Sequence, residues 1–168
     1  RTRATILLRS AVMQANKGDY QHALKLFTQT LDEAPGHVDA LTGRGTAYAY
    51  LGELPKALQD FDVALAARPE EPDLLARRVQ VLQALGDWDA VVDTTSRLLL
   101  LKPKDATVLQ QRGKAHHSVN NYRRAVDDFE RCLATGAKGS AALYNLLGTS
   151  LAAMGRCGVA IDAYERTL

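Results

Sequence analysis

Along residues 38–69 the positions Leu41, Gly45 and Tyr48, followed by Ala57, Phe61, Ala64 and Leu65, fall at i, i+4 and i+7 spacing. Spacing of this kind puts one packing stripe on each of two helices. Between the stripes, Gly52 suits the positive φ of a helix end and Pro55 suits the first turn of the next helix. Pro69 stops that second helix. The pattern predicts a helix, a tight turn and a second helix packed back on the first. Gly45 and Ala57 remove side-chain volume where the two antiparallel helices cross, and Phe61 and Tyr48 fill the space beside the crossing.

The pattern returns along the whole chain. Small residues fall at Ala23, Ala57, Val91, Ala125 and Ala160, in steps of 34, 34, 34 and 35. Four residues later come Phe27, Phe61, Thr95, Phe129 and Tyr164, and after them Leu31, Leu65, Leu99, Leu133 and Leu168. Upstream in each unit stand Leu7, Leu41, Leu75, Leu109 and Tyr144, then Gly45, Gly113 and Gly148. The turn residues are Gly18, Gly52, Gly86, Asn120 and Gly155, and Pro35, Pro69 and Pro103 close the first three units. The units are read as 4–37, 38–71, 72–105, 106–140 with one inserted residue, and a truncated 141–168.

These residues resemble the tetratricopeptide repeat (TPR), whose 34-residue unit is a helix-turn-helix with this order of small and large positions. The resemblance implies an all-α fold, a right-handed superhelical solenoid of antiparallel helix pairs. Unit three is divergent: Val79 replaces the crossing glycine, Val91 and Leu98 stand at small positions, while Thr95 and Leu82 replace the Phe and Tyr. Volume is exchanged rather than lost, as a close-packed core requires, so a locally altered crossing is expected there.

Composition agrees with the pattern. The 168 residues include 26 Ala and 25 Leu against 2 Ile and 11 Val, the palette of helices rather than sheets. A formal charge of +2 gives no basic stripe that would argue for direct nucleic-acid binding. No apolar run approaches the roughly 20 residues of a membrane span, so no transmembrane segment is expected. Residues 1–10 lack the apolar core and cleavage site of a secretory signal, and the chain starts without Met, so it reads as a piece of a longer protein. Cys132 and Cys157 make no disulfide framework, which fits a cytoplasmic or nuclear setting.

Arg44, Arg78 and Arg112 recur just before the crossing position, and Asp60 and Asp128 just before Phe61 and Phe129. An ion pair across the two helices of a unit is expected for the second and fourth units, while Thr94 leaves the third without an acid in that slot. No catalytic residues, metal ligands or cofactor site are expected. Gly43 to Gly45 and Gly136 to Ser140 lack the strand and spacing of phosphate loops. His116 and His117 diverge by about 100° on a helix, and no His, Cys and carboxylate set has metal spacing.

What remains is a surface for other proteins. The inner groove of such a solenoid is lined by the first helix of each unit. Counting along those helices gives Arg9, Val12 and Asn16 in unit one, and Asp39, Thr42, Thr46 and Tyr50 in unit two. Units three to five add Arg77, Gln80 and Gln83, then Gln110, Gln111, Lys114 and His117, then Asn145 and Thr149. The polar, mildly basic set suits an extended peptide or a helix in the groove. TPR co-chaperones of the Hsp70/Hsp90 type grip a terminal carboxylate with Lys, Asn and Arg. The corresponding positions here read Leu8, Val12, Gly43, Asp73 and Arg77, or Thr42, Thr46, Arg77, Thr107 and Gln111, so that clamp is absent. The asparagine ladder of the O-GlcNAc transferase type is absent too, its positions reading Arg9, Gly43, Arg77, Gln111 and Leu146.

The stretch Ala40 to Tyr50, continuing through Glu53 and Leu54 to Asp60 and Phe61, resembles the TPR region of the plant negative regulators of effector-triggered immunity and their animal multi-TPR relatives. That resemblance implies a non-catalytic scaffold restraining immune signalling or transcription, with nuclear and endomembrane-associated pools. The alternative is the substrate-recruiting arm of a larger enzyme, or a co-chaperone without the usual clamp. Finally, Ile6, Leu7 and Leu8 open the first helix without a capping helix before it, and Leu147, Leu151, Ile161 and Tyr164 are expected to be partly exposed at the far end. Such faces favour a homodimer or higher self-association.

Overall fold

The computed structural model describes residues 2–167. Leu168, the expected last leucine of unit five, lies outside the described residues. Ten helices run through them, with no strand: α1 Arg3–Asn16, α2 Tyr20–Glu33, α3 Val38–Tyr50, α4 Leu54–Ala67, α5 Pro72–Leu85, α6 Trp88–Leu101, α7 Ala106–Ser118, α8 Tyr122–Ala134, α9 Ala141–Ala153 and α10 Cys157–Glu165. The chain forms two compact units, Arg1–Leu85 and Gly86–Leu168, so α5 and α6 belong to different ones.

Local chemistry starts and stops the helices. Thr2, Asp19, Asp87, Asp105 and Ser140 each accept a hydrogen bond from a first-turn amide of the helix that follows. The turn before α8 needs φ near +60°, and Asn120 adopts it where the other units use glycine. Its Oδ1 accepts from the Tyr122 hydroxyl at 2.7 Å, a local bond of the kind that lets Asn tolerate this conformation.

In the first compact unit α1 packs on α2 and α3 on α4, and the first helices α1, α3 and α5 lie side by side. The second unit repeats this with α7 on α8, α9 on α10, and α7 beside α9. Three of the hairpins close on a residue without a side chain. A Cβ on Gly45 would stand 2.8 Å from Phe61 Cε1, one on Gly113 2.6 Å from Phe129 Cε1, and one on Gly148 2.6 Å from Tyr164 Cε1. No real Cβ tolerates such a contact, so each ring occupies the volume its glycine lacks. Gly43 plays the same part for Phe27, here between α3 and α2. In the divergent third unit the Thr95 hydroxyl donates to Val91 O at 2.6 Å, so its burial leaves no lone donor.

The expected ion pairs form beside these crossings. Arg44 Nε and Nη2 donate to Asp60 Oδ2 and Oδ1 at 2.8 and 2.7 Å, and Arg112 makes the same two bonds to Asp128. Asp60 and Asp128 are 4% and 2% exposed. Arg78, for which Thr94 leaves no acid in the corresponding slot of its own unit, donates from Nε to Asp62 at 2.7 Å, an acid on α4 of the preceding pair. The expected exposure of Leu147 and Leu151 is also corrected, for both are buried. Leu147 stands 35 residues after Arg112 and Ala163 35 after Asp128, so the last hairpin replaces the ion pair by an apolar one. Leu151 fills the core slot held by Tyr48 in the second hairpin. Tyr164 is half-buried over Gly148, and Ile161 is exposed.

Removing one partner of a buried, bidentate pair leaves the other charged and unpaired, at a cost of about 3 kcal/mol or more. Asp60→Ala is therefore expected to shift chemical denaturation by about that amount, and Asp93→Ala, at an exposed position, by less than about 0.5 kcal/mol. Equal midpoints for the two variants in urea would refute the role given to the pair.

Candidate protein-interaction surface

The position that opens the second helix of every hairpin sets the edge of the expected groove. It is held by Tyr20, Leu54, Trp88, Tyr122 and Cys157, again in steps of 34, 34, 34 and 35. Each bulky member meets a residue of a first helix or lines a cavity beside one. Tyr20 stacks on Tyr50 with ring centroids 4.3 Å apart and planes 8° from parallel. Loss of solvent raises the Tyr20 phenol above its ordinary pKa, and the neighbouring Tyr50 raises it further. Trp88 lies under the Lys114 ammonium, 5.7 Å from Nζ to the ring centroid. Tyr122 meets His117 edge-on at 5.5 Å. The period was readable, but its aromatic character is interrupted at Leu54 and Cys157, and so the reading of the sequence missed these residues.

In the first compact unit, Thr46, Tyr50, Arg77 and Gln80 come together around one cavity of about 270 Å³. Its remaining walls are apolar: Ala49, Leu54, Phe61, Val81 and Ala84. Arg77 Nη1 donates to Thr46 Oγ1 at 3.3 Å, and Thr46 in turn donates to Thr42 O at 2.8 Å. Thr42 closes this chain by donating to Val38 O. Asp39, at the start of α3, accepts from Arg68 Nη1 at 3.1 Å, the same nitrogen that donates to Glu71 at 3.4 Å. Gln83 does not line the cavity. Arg9 and Asn16 sit apart on α1, around a shallower hollow with Leu8, Val12, Met13 and Lys17. At that end Leu7 and Leu8 are half-buried, whereas Ile6 and Met13 are 55% and 50% exposed.

In the second unit Lys114 and Asn145 are exposed and Gln111 is half-buried. His117 turns inward: Nδ1 lies 2.9 Å from Ser150 Oγ. Ser150 spends its only proton on Leu146 O at 2.7 Å, so Nδ1 is the donor to Ser150. The other imidazole, His116, is buried, with Nε2 4.0 Å from Asp128. Burial pushes both histidines below their ordinary pKa. For His116, Arg112 and Arg124 push the same way, against the attraction of Asp128. The Cys132 thiol is buried, donates to Ala106 O at 3.3 Å and is held above its ordinary pKa by burial, which disfavours the reactive thiolate. Among the described residues no group of three or more His, Cys, Asp or Glu is placed to hold a metal ion, and no helix is long and apolar enough to cross a membrane.

A family model described as "Tetratricopeptide repeat" matches residues 14–72. The fold is a tetratricopeptide-repeat fold. Solved structures similar across the chain agree. A crystal structure of MamA protein superposes with a TM-score of 0.89 at 17% identity, covering 98% of this chain and 90% of that one. A MamA chain from Desulfovibrio magneticus RS-1 gives 0.87 at 16% identity, covering 99% and 94%. MamA labelled AMB-1 gives 0.88 at 19%, covering 98% and 90%. No curated protein matches the sequence significantly. The TPR reading thus stands on both comparisons, and neither lends support to the narrower likeness to plant immune regulators.

The histidines give the second unit a pH dependence of known sign. Unfolded His titrates near 6.5, and both folded groups lie below that. At pH 7.5 folded and unfolded chains alike hold these rings neutral, and the full stability is present. As pH falls through about 6.5, the unfolded chain takes up protons that the folded one refuses, so stability drops until the folded pKa values are passed. Between pH 7.5 and 5 the melting temperature of the wild type should fall further than that of a His116→Gln/His117→Gln variant. Parallel curves would contradict this assignment.

Proposed function

We propose that the chain is a non-catalytic protein-interaction scaffold that receives a segment of a partner protein along its first helices. The observation that carries this reading is the cavity between α3, α4 and α5, where Arg77, Thr46 and Gln80 form a polar lip over apolar walls. Polar, exposed residues continue on both compact units, as Arg9, Asn16, Lys114 and Asn145. TPR folds are interaction modules as a class, and concave faces of repeat proteins are their usual contact surfaces. The free thiols of Cys132 and Cys157 support a cytoplasmic or nuclear setting.

The narrower function, restraint of immune signalling or transcription, is supported by the Ala40 to Phe61 stretch alone. The second reading, a recruiting arm for a catalytic domain elsewhere in a longer protein or a co-chaperone with a different grip, uses the same surface. Affinity capture with the wild type beside an Arg77→Glu/Lys114→Glu variant tests the surface. The variant is expected to lose a discrete set of captured proteins, and identical sets would remove the groove from consideration.

Self-association is the further part of this proposal. After the correction of Leu147 and Leu151, it rests on the exposed Ile6, Val12 and Met13 at one end, and on the exposed Ile161 with the half-buried Tyr164 at the other. Light scattering is expected to give a mass that rises with concentration. A monomer throughout the range would exclude it.

A further inference from the structure

We propose that the cavity between α3, α4 and α5 selects an internal segment of a partner protein carrying an acidic side chain for Arg77 and an aliphatic side chain for the hollow. This rests on the reading of the groove side as a protein-binding surface and names the chemistry that surface recognises.

Charge accounting comes first. Among the described residues of the first compact unit Arg3, Arg44, Arg68 and Arg78 each hold a carboxylate, whereas Arg9 on α1 and Arg77 at the cavity do not. Arg77 holds none: one Nη1 bond goes to the Thr46 hydroxyl and the rest of its fork has no protein acceptor among the described residues. The acid on α3, Asp39, is occupied by Arg68. A guanidinium fixed at one corner, exposed at the others and set at the lip of a hollow is complementary to a carboxylate, which it can grip with two parallel bonds.

The shape of the hollow supplies the second half. It exists because Ala84 stands 34 residues after Tyr50, where the preceding hairpin carries a large ring. Ala49 faces the same space. Tyr50 is itself held by its stack on Tyr20 and forms a fixed wall rather than a plug. At about 270 Å³ the cavity is below the roughly 300–1,000 Å³ of small-molecule sites, so it suits a side chain better than a free metabolite. Walls from Leu54, Phe61 and Val81 ask for an apolar one.

In an extended segment, residues i and i+2 point the same way, so an acid and an aliphatic residue two apart meet Arg77 and the hollow together. A chain end is not required. A single cation marks the site, and Gln80 and Thr46 beside it offer the mixed donors and acceptors that a passing backbone uses.

Fluorescence polarisation on the full chain tests this with dye-labelled peptides about nine residues long, acetylated and amidated. They carry Glu followed by Leu one, two or three positions later in a Ser/Gly background. The best Glu/Leu peptide is expected to bind about tenfold or more tighter than its Gln/Leu and Glu/Ser counterparts. Arg77→Glu should lose that peptide and bind the Lys/Leu version instead, a gain that misfolding cannot produce. Ala84→Trp should lose binding with an unchanged circular dichroism spectrum and melting temperature. Equal affinity of the wild type for Glu and Lys peptides overturns the proposal, as does a requirement for a free terminal carboxylate or the absence of binding by any peptide. Binding that survives Arg77→Glu and Ala84→Trp but is lost in Lys114→Glu also overturns it, while leaving the groove reading intact.

Discussion

The rest of the structure depends on one steric fact: two helices approach so closely that one of them must lack a side chain where an aromatic ring of the other sits. Gly45 with Phe61, Gly113 with Phe129 and Gly148 with Tyr164 meet in this way. Arg44 and Asp60 are the immediate chain neighbours of Gly45 and Phe61, as Arg112 and Asp128 are of Gly113 and Phe129. The dipeptides Arg-Gly and Asp-Phe therefore act together. The small residue brings the backbones near, and that nearness lets a short carboxylate reach both nitrogens of the guanidinium. Where the last hairpin has Leu-Gly and Ala-Tyr, the steric half is kept and the charged half is dropped. Close approach is thus common to these three hairpins, and the ion pair is an addition that two of them make to it.

The charged half brings its own demands. Buried carboxylates are tolerated only when their lone pairs are used. Asp128 is the more heavily engaged of the two, with Arg131 at 3.7 Å and His116 at 4.0 Å besides the Arg112 fork. Arg112 also donates to Ser96 on α6 at 3.2 Å, which ties the α7–α8 hairpin to the helix before it. The side chain that orders one repeat thereby helps to fix its register on the previous one.

The fold was legible because its code is carried by volume at fixed spacing, and volume is what a sequence states directly. Helices, turns and the Arg44–Asp60 and Arg112–Asp128 pairs follow from residues whose partners stand at the same separation each time. The Arg78–Asp62 pair was missed because its acid lies on the other side, 16 residues before rather than after. Leu147 and Leu151 were misjudged because an end face was treated as bare, although the repeat register already put them in core slots. The cavity was not legible at all. It arises from two alanines, 49 and 84, on different helices, and from a ring, Phe61, on a third. An unfilled space leaves no letter of its own in the sequence.

Trp88 is the single tryptophan of the chain, and it lies in the second compact unit with the Lys114 ammonium above its ring. The first unit carries instead the stacked phenols of Tyr20 and Tyr50 beside its cavity. Indole emission therefore belongs to the second unit alone, and its surroundings include the Lys114 ammonium over the ring. Phenols occur in both units, at Tyr20, Tyr48 and Tyr50 in the first and at Tyr122, Tyr144 and Tyr164 in the second, so the indole of Trp88 is the built-in optical reporter confined to a single unit.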